Sequence, residues 1–205
     1  MHYVPQEQSV TLPPELLQPS GDFPFCQPVL PKEELFALIT KHLPTYERAT
    51  ALAESFLGNV GWVPRPIQRE QIMEDLIPLL YKGHRTGESE TQSDGDEKYD
   101  GKHRLHNFAL ILAVFACGAA VDLTQEPNNA EGLLYNRLSI AALSSHSIIN
   151  AGVSLETVQA IILIAQYDFF SCMSPSLEKS WKLLSIGLIL AASVSCPSTL
   201  RKFMD

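Results

Sequence analysis

Residues 103–123 read HRLHNFALILAVFACGAAVDL, and this stretch decides the fold that the sequence predicts. Its apolar side chains occupy all sides of a helix instead of a single stripe, which is typical of a helix that other helices cover. Small residues at positions 113, 116 and 118–120 leave space for neighbouring backbones to approach closely. We therefore expect a central helix over residues 103–123.

Helical patterns continue on both sides of this stretch. Pro31 opens the first predicted helix, because its fixed φ suits the first helical position. Three later helices have candidate N-caps, at Asn128 or Asn129, at Ser154, and at Ser174 or Ser176. We predict the other helices over residues 31–43, 45–57 (broken by Gly58 and Gly61), 68–81 (with Pro78 as a kink), 129–149, 154–167 and 175–194.

The spacing of apolar residues predicts which face of each outer helix is buried. On the first helix the apolar stripe follows the i, i+3, i+4, i+7 pattern of one helical face. The residues expected to face inward are Leu35, Leu38, Ile39 and His42 on the first helix, Tyr46, Ala49, Leu52, Ala53 and Phe56 on the second, and Ile72, Leu76, Leu79 and Leu80 on the third.

No strand-like alternation and no Asn-Gly hairpin signal occurs along the chain. Short spacings between the predicted helices favour antiparallel neighbours. The sequence thus predicts an all-α fold of antiparallel helix pairs, arranged as a bundle or an α-superhelix. We divide the chain into an arm over residues 1–30, a helical domain over 31–196 and a tail over 197–205.

The arm has a composition of its own. Seven of the 14 prolines lie within the first 31 residues, and proline at this density prevents a long helix. We therefore expect an extended Pro-rich arm. Its candidates to tuck into a groove of the domain are Leu16, Leu17, Phe23 and Phe25.

A second unusual segment interrupts the helices. Residues 86–101 hold six acidic residues and one lysine, a net charge of −5. Low hydrophobicity with high charge predicts a disordered acidic loop over about 84–102. An acidic activating or phosphorylated segment is the alternative to a solvated insertion.

The length and the net charge of the chain restrict the classes of function that it can have. A chain of 205 residues, 45% of them apolar, is long enough to bury a core as about one domain. The net charge of −8 argues against DNA binding by this chain, because phosphate neutralisation needs an excess of Lys and Arg. The apolar runs 108–121 and 183–194 are shorter than the ~20 residues that cross a bilayer. With no signal-peptide pattern at Met1 either, we expect an intracellular protein that makes no membrane contact.

Few residues could bind a metal ion. Cys26, Cys117, Cys172 and Cys196 form no C-x-x-C pair, and the apolar surroundings of Cys117 and Cys172 predict buried free thiols. His103 and His106 have the i, i+3 spacing of a metal pair, but the possible further ligands stand at no recognisable interval. We prefer a solvated helix N-terminus for this pair. Those further ligands would be His84 and Asp100.

Two groups of residues are candidates for catalysis. Carboxylates at the front of a helix are ordinary partners of the helix dipole, and adjacent residues on a helix point in different directions. We therefore predict no catalytic residue, no metal-binding residue and no cofactor, and we expect that the chain is not an enzyme. The groups are Glu70, Glu74 and Asp75, and the hydroxyls of Ser144, Ser145 and Ser147 beside His146.

Five polar residues interrupt very apolar helices: Tyr135, Arg137, Gln159, Gln166 and Tyr167. One interpretation is a small-molecule effector pocket between helices. The preferred interpretation is a set of hydrogen-bonded core groups that fix the helix register. Trp62 and Trp181 are interpreted as core anchors.

The order of motifs resembles the fungal-specific transcription factor domain, the middle homology region of zinc binuclear-cluster transcription factors. The resemblance covers roughly residues 12–192, and each block is weak alone while the ordered set is specific. The blocks are LPPEL (12–16), LPTYERA (43–49), WVPRPIQRE (62–70), VFACGAAVDL (114–123), NAE (129–131), LYNRLSIAAL (134–143), TVQAIILIAQY (157–167) and SWKLLSIG (180–187).

The resemblance implies a nuclear regulatory domain that controls RNA polymerase II transcription through protein contacts, with partners in the transcription machinery or as a homodimer. A small-molecule effector is compatible with it. Zinc and DNA binding belong, by the same resemblance, to a six-cysteine module that this chain lacks, so no direct DNA contact is expected. The alternative is a helical small-molecule-binding protein or enzyme with a pocket between the central helices.

The chain departs from the family pattern after Ala192, where further helices usually follow. This departure predicts a domain that is incomplete at its C-terminus, as in a fragment, a splice product or a truncated gene model. Leu184, Leu188 and Ile189 are expected to face the central helix, and the opposite side of the last helix would lack its usual cover. We therefore expect self-association or poor expression, because large exposed apolar patches drive association. The side expected to lack cover carries Ile186, Leu190 and Val194.

Overall fold

The computed structural model describes residues 23, 31–60, 63, 65–85, 101–145, 153–171 and 176–195. Within these residues the fold is all-helical, as predicted, with seven α-helices and no strand. The Pro-rich arm (apart from Phe23), residues 86–100 of the acidic loop and the tail lie outside the described residues. The ends of the predicted loop, 84–85 and 101–102, belong to helices. The helices are α1 (Lys32–Lys41), α2 (Tyr46–Asn59), α3 (Ile77–Arg85), α4 (Gly101–Ala120), α5 (Ala130–Ser144), α6 (Leu155–Phe170) and α7 (Ser176–Ser195).

Helix α4 is the centre of the domain. It packs against α2, α5 and α6, and every residue from 108 to 117 is buried. The prediction of a covered central helix is confirmed. The helix ends at Ala120, three residues before the predicted boundary, because the Asp122 carboxylate accepts hydrogen bonds from the Thr124 amide and hydroxyl. Such an aspartate turn competes with helix continuation.

The small residues of α4 allow the close approach that their size predicts. Gly118 lies against the backbone of α2, and the Ser55 hydroxyl donates to the Gly118 carbonyl at 3.1 Å. One turn further on, Asn59 Nδ2 donates to the carbonyl of Val121 at 3.0 Å. Helices α2 and α4 are thus joined by backbone contact and side-chain hydrogen bonds.

Helices α1 and α2 bury most of the predicted faces. Leu35 and Ile39 are buried on α1, and all of the predicted α2 residues except Tyr46 are buried. Tyr46 is 55% exposed, and its ring packs edge-on against Tyr81 instead of entering the core. It lies directly after the N-cap Thr45, where the helix has only begun to face the core. Gly58 does not break α2, which continues to Asn59.

The third helix departs from regular α geometry. Residues 71–76 form a π-helical segment (Gln71–Leu76) that runs directly into α3. A wide turn before Pro78 accommodates a residue that has no amide donor and whose ring clashes in a regular helix. The extra residue in this turn rotates the side chains of α3 about the helix axis, so Ile77 is buried where Leu79 was expected, and Leu79 is 44% exposed.

Two predicted N-caps are confirmed. Asn129 accepts the Gly132 amide at 2.8 Å and begins α5, after Asn128 has turned the chain with a φ of 59°. Ser154 accepts the Thr157 amide at 3.3 Å and begins α6. Helix α5 ends at Ser144, with Ser145 as its C-cap, so the prediction that it reaches residue 149 is wrong.

Helix α7 packs on α6, with a different face inward from the one expected. Leu183 and Gly187 are buried, and a Cβ at Gly187 would lie 3.4 Å from Ile162. Leu188 and Ile189 are therefore exposed, which corrects the prediction that they face the central helix. The residues expected to be open, Ile186, Leu190 and Val194, are instead half-buried.

Trp181 is also exposed, so its interpretation as a core anchor is wrong, and Trp62 lies outside the described residues. Phe23, one of the arm residues expected to tuck in, is buried against the core. None of the described helices combines the length and the hydropathy that a membrane span requires.

Candidate functional site

The five polar residues that interrupt the apolar helices do not line one pocket. Tyr135 lies at a junction with α2, and Gln159 lies at a junction with the 65–76 segment. Arg137 and Tyr167 belong to a charged cluster beside α7, and Gln166 is buried on α6. Tyr135, Arg137, Gln159 and Tyr167 lie where different helices meet.

Arg48 forms the first junction, between α2, the loop after α4 and α5. Its Nη1 and Nη2 atoms donate to the same Asp122 oxygen at 3.1 Å, while Nε and Nη2 reach the two Glu131 oxygens at 3.1 and 2.5 Å. One guanidinium therefore binds two carboxylates that lie nine residues apart along the chain, which is the planar geometry that distinguishes Arg from Lys. The Glu131 hydrogen bond is the main cause that raises the pKa of Arg48.

Tyr135 extends the Arg48 junction toward the core. Its hydroxyl donates to Glu131 Oε1 at 3.4 Å, and its ring packs edge-on against Phe115 of α4. Asn129 holds the other side of the loop by donating to the Ala119 carbonyl at 2.7 Å. The loop between α4 and α5 is thus fixed at both ends and in its middle.

Gln159 forms the second junction. Its Nε2 donates to the Pro66 carbonyl at 2.8 Å, and its amide exchanges two 3.1 Å hydrogen bonds with the amide of Gln71. Gln159 is buried, and a buried amide costs free energy unless its donors and acceptor are paired. Gln159 therefore fixes the segment before α3 against α6.

The third group is a charged cluster at the C-terminal end of α6. The Asp168 carboxylate is buried and lies 2.9 Å from Lys179 Nζ of α7, with Arg137 and Tyr167 as further charged or ionisable neighbours. Burial raises the pKa of Asp168, against the opposing effect of Lys179 and Arg137. Arg137 Nη1 is buried without a hydrogen-bond partner. This cluster joins α5, α6 and α7 by charge.

Asp122 and Asp168 shift in opposite directions, which predicts opposite contributions to stability. Hydrogen bonds from Thr124, followed by Arg48, lower the pKa of Asp122. Asp122 therefore stabilises the fold above its ordinary pKa of 3.8, and this contribution is lost as the pH falls through its lower folded value. Asp168, whose pKa is raised, favours the fold below 3.8 and loses that contribution as the pH rises through its higher folded value.

Urea unfolding of the wild type, Asp122→Asn and Asp168→Asn between about pH 3 and pH 7 measures these slopes. The stability of the wild type relative to Asp122→Asn should increase with pH, and its stability relative to Asp168→Asn should decrease. Slopes of the same sign would contradict the two assigned environments.

His106 is not part of a solvated helix end, which corrects that interpretation. It is buried, and its Nδ1 lies 2.9 Å from the Thr157 hydroxyl and 3.4 Å from the Ser154 hydroxyl at the start of α6. The side chain of His103 is outside the described residues. No group of His, Cys, Asp and Glu side chains suited to a metal ion occurs in the described part of the chain.

The described candidates for catalysis are either hydrogen-bonded within their own helix or exposed to solvent. Ser144 and Ser145 donate to carbonyls of their own helix, both at 2.7 Å. His146 and Ser147 lie outside the described residues, and Glu70, Glu74 and Asp75 are exposed. Cys117, the buried free thiol expected on α4, donates to the Leu163 carbonyl at 3.3 Å, and burial raises its pKa. A thiol in this environment is a poor nucleophile.

The cavities among the described residues include an enclosed one and an open one. One of about 10 Å³ lies between α3 and α4, which is too small for a metabolite. The other is an open surface depression of about 490 Å³. It is lined by Val63, Arg65, Ile67, Gln68, Arg69 and Glu70. Its two arginines are already engaged, Arg65 with the Leu57 carbonyl and Arg69 with Glu54.

Sequence reasoning missed the residues that hold these junctions. Arg48, Asp122 and Asp168 were not predicted as joining residues, although charged residues within apolar helices or directly after one are a usable signal. Comparison of the chain with protein-family models, curated proteins and solved structures finds no match.

Proposed function

We propose that this chain is the helical regulatory domain of a fungal zinc-cluster transcription factor. In this proposal it acts in the nucleus and controls transcription by RNA polymerase II through contacts with other proteins. It holds an activator silent or active through packing within the same protein. DNA and zinc binding fall to a separate module, and the chain itself is not an enzyme.

One observation carries the proposal: the sequence blocks of the resemblance bind one another. Arg48 of block 43–49 pairs with Asp122 of block 114–123 and with Glu131 of block 129–131. Gln159 of block 157–167 binds the carbonyl of Pro66 in block 62–70. Motifs that contact one another in the folded chain belong to one tertiary arrangement. This mutual dependence supports a common fold with the family that shares the motifs.

Two further properties are consistent with action through protein contacts. The net charge of −8 disfavours binding to the DNA phosphate backbone. The amides and hydroxyls that could have lined an effector pocket are used between helices, Gln159 with Gln71 and Pro66, and Tyr135 with Glu131. The alternative of a ligand-binding protein or enzyme with a pocket between the central helices therefore ranks second.

A reporter fusion tests the proposal. The chain is placed between an unrelated DNA-binding module and an acidic activation segment in yeast cells, and an unrelated helical domain of similar length serves as the control. We expect the chain to change reporter output by at least about fivefold relative to that control, the low end of a typical coupling between sites. Equal output from both fusions, at equal protein levels, would contradict the proposal.

A further inference from the structure

The loop between α4 and α5 presents one hydroxyl group to solvent. Residues 123–128 are all exposed, and Thr124 is the hydroxyl-bearing residue among them. The Gln125 amide closes a turn by donating to the Asp122 carbonyl at 3.1 Å, which leaves the Thr124 side chain on the outside of the domain. Exposed loop tips are the places where other enzymes most readily reach a folded chain. Thr124 is therefore accessible to a modifying enzyme.

The Thr124 hydroxyl orients the carboxylate that binds Arg48. It donates to Asp122 Oδ1 at 2.6 Å, and the Thr124 amide donates to the same oxygen at 3.0 Å. The other carboxylate oxygen, Oδ2, accepts two hydrogen bonds from Arg48 at 3.1 Å. A single carboxylate thus separates an exposed hydroxyl from the junction that joins α2, the loop and α5. A covalent change at Thr124 Oγ1 acts directly on that junction.

The other exposed hydroxyls among the described residues lack this combination. Ser185 and Ser193 of α7 donate to carbonyls of their own helix at 2.9 and 2.7 Å. Thr45 is the N-cap of α2 and accepts the Arg48 amide at 3.3 Å. A modifying enzyme must draw the acceptor residue into its own active site, which a loop permits at a lower cost than a helix. Thr124 is both accessible in this sense and in contact with a carboxylate of the fold.

The residues around Thr124 indicate which kind of enzyme fits it. Asp122 lies two residues before it and Glu126 two residues after it, and residues 121–129 include no Lys or Arg. In an extended segment, residues two apart point to the same side, so both carboxylates would accompany the hydroxyl. A substrate groove lined by Lys and Arg complements such a segment. We propose that an acid-directed protein kinase phosphorylates Thr124 and that the phosphate breaks the contact between Asp122 and Arg48.

The reaction replaces a hydrogen-bond donor with a dianion. Thr124 Oγ1 attacks the γ-phosphorus of ATP, the bond from that phosphorus to the β–γ bridging oxygen breaks, and ADP and the hydroxyl proton leave. The product carries about two negative charges. Asp122 then loses its 2.6 Å hydrogen bond and faces a like charge in the same place, so its carboxylate moves away from Arg48. This inference does not rest on the proposed role in transcription.

Treatment of the full chain with an acid-directed Ser/Thr protein kinase and Mg²⁺–ATP tests the site, with mass spectrometry of the peptides as the readout. We expect phosphate on Thr124 of the folded chain. Thr50 is the control and should stay unmodified, because it is half-buried on α2, where its hydroxyl donates to the Tyr46 carbonyl at 3.0 Å. Phosphate on neither threonine, or to equal extents on both, would overturn the assignment.

A chain that receives phosphothreonine at position 124 during translation tests the broken contact without any kinase. We expect its urea midpoint to lie about 1 M below that of the unmodified chain. Asp122→Asn has no carboxylate to repel the phosphate, so the same modification should lower the midpoint of that variant by less than about half as much. Equal shifts in the two backgrounds, or no shift in the wild-type background, would overturn the proposed effect on Asp122 and Arg48.

Discussion

Replacing Gly118 with alanine should destabilise the domain by roughly 3–5 kcal/mol, enough to unfold a typical domain in part. A Cβ at this position would lie 2.8 Å from the carbonyl carbon of Leu52 and closer still to its oxygen. Both atoms belong to the backbone of α2, so no side-chain rotation can relieve the clash. Helices α2 and α4 would have to separate, which would also weaken the Ser55 hydrogen bond to Gly118.

Gly58→Ala provides the matched control, because the same change is made on α2 at a position with no atom within 4 Å of the new Cβ. Alanine there should stabilise the protein by about 0.5–1 kcal/mol, since glycine inside a helix costs that much. Urea unfolding followed by circular dichroism measures both variants. Similar stabilities for the two would show that α2 and α4 do not cross at Gly118.

Replacing Arg48 with methionine should cost about 2–3 kcal/mol. The carboxylates of Asp122 and Glu131 would be left facing each other without their common partner, and both are largely shielded from solvent. Breaking a fully buried pair costs about 3–5 kcal/mol, and the partial exposure of Arg48 reduces this amount. Methionine preserves the length of the apolar stem, so the measured change reports the loss of the charge and its hydrogen bonds.

Arg69→Met is the control for this substitution. Arg69 also pairs with a carboxylate, Glu54, but both side chains are about half exposed. Solvent-exposed ion pairs contribute little, so the Arg69 variant should unfold close to the wild type in urea. Equal losses from the two substitutions would contradict the structural role assigned to Arg48.

The sequence predicts much of the fold because its strongest signals are local. The apolar run of α4 and the cap residues Asn129 and Ser154 act within one helix or one turn, and all three are placed correctly. The same reasoning fails where contacts between residues far apart in the sequence decide which side chains are buried. Because of the π-helical segment before Pro78, Ile77 is buried in the place expected for Leu79. The regular α-helical periodicity of apolar residues does not predict the extra residue of this turn.

The buried face of α7 was also predicted incorrectly from apolar periodicity. Apolar periodicity favours Leu188 and Ile189 as core residues, yet the helix packs through Gly187, where the absence of a side chain permits a close approach to α6. Tyr135 and Gln159 were predicted in kind, as hydrogen-bonded core groups, but not in their partners. Arg137 departs from that prediction, because its buried Nη1 has no hydrogen-bond partner. The partners of Arg48 lie 74 and 83 residues away, which a single sequence does not reveal.

The central claim is that the resemblance blocks form one folded unit whose intact arrangement regulates an attached activator. The reporter fusion with the wild type, Gly58→Ala and Gly118→Ala tests it most directly, at equal protein levels. We expect the wild type and Gly58→Ala to change reporter output equally and Gly118→Ala to lose most of this effect, because a Cβ at Gly118 clashes with the backbone of α2. An effect that persists unchanged in Gly118→Ala, after circular dichroism has shown that this variant loses helical structure, would contradict the claim.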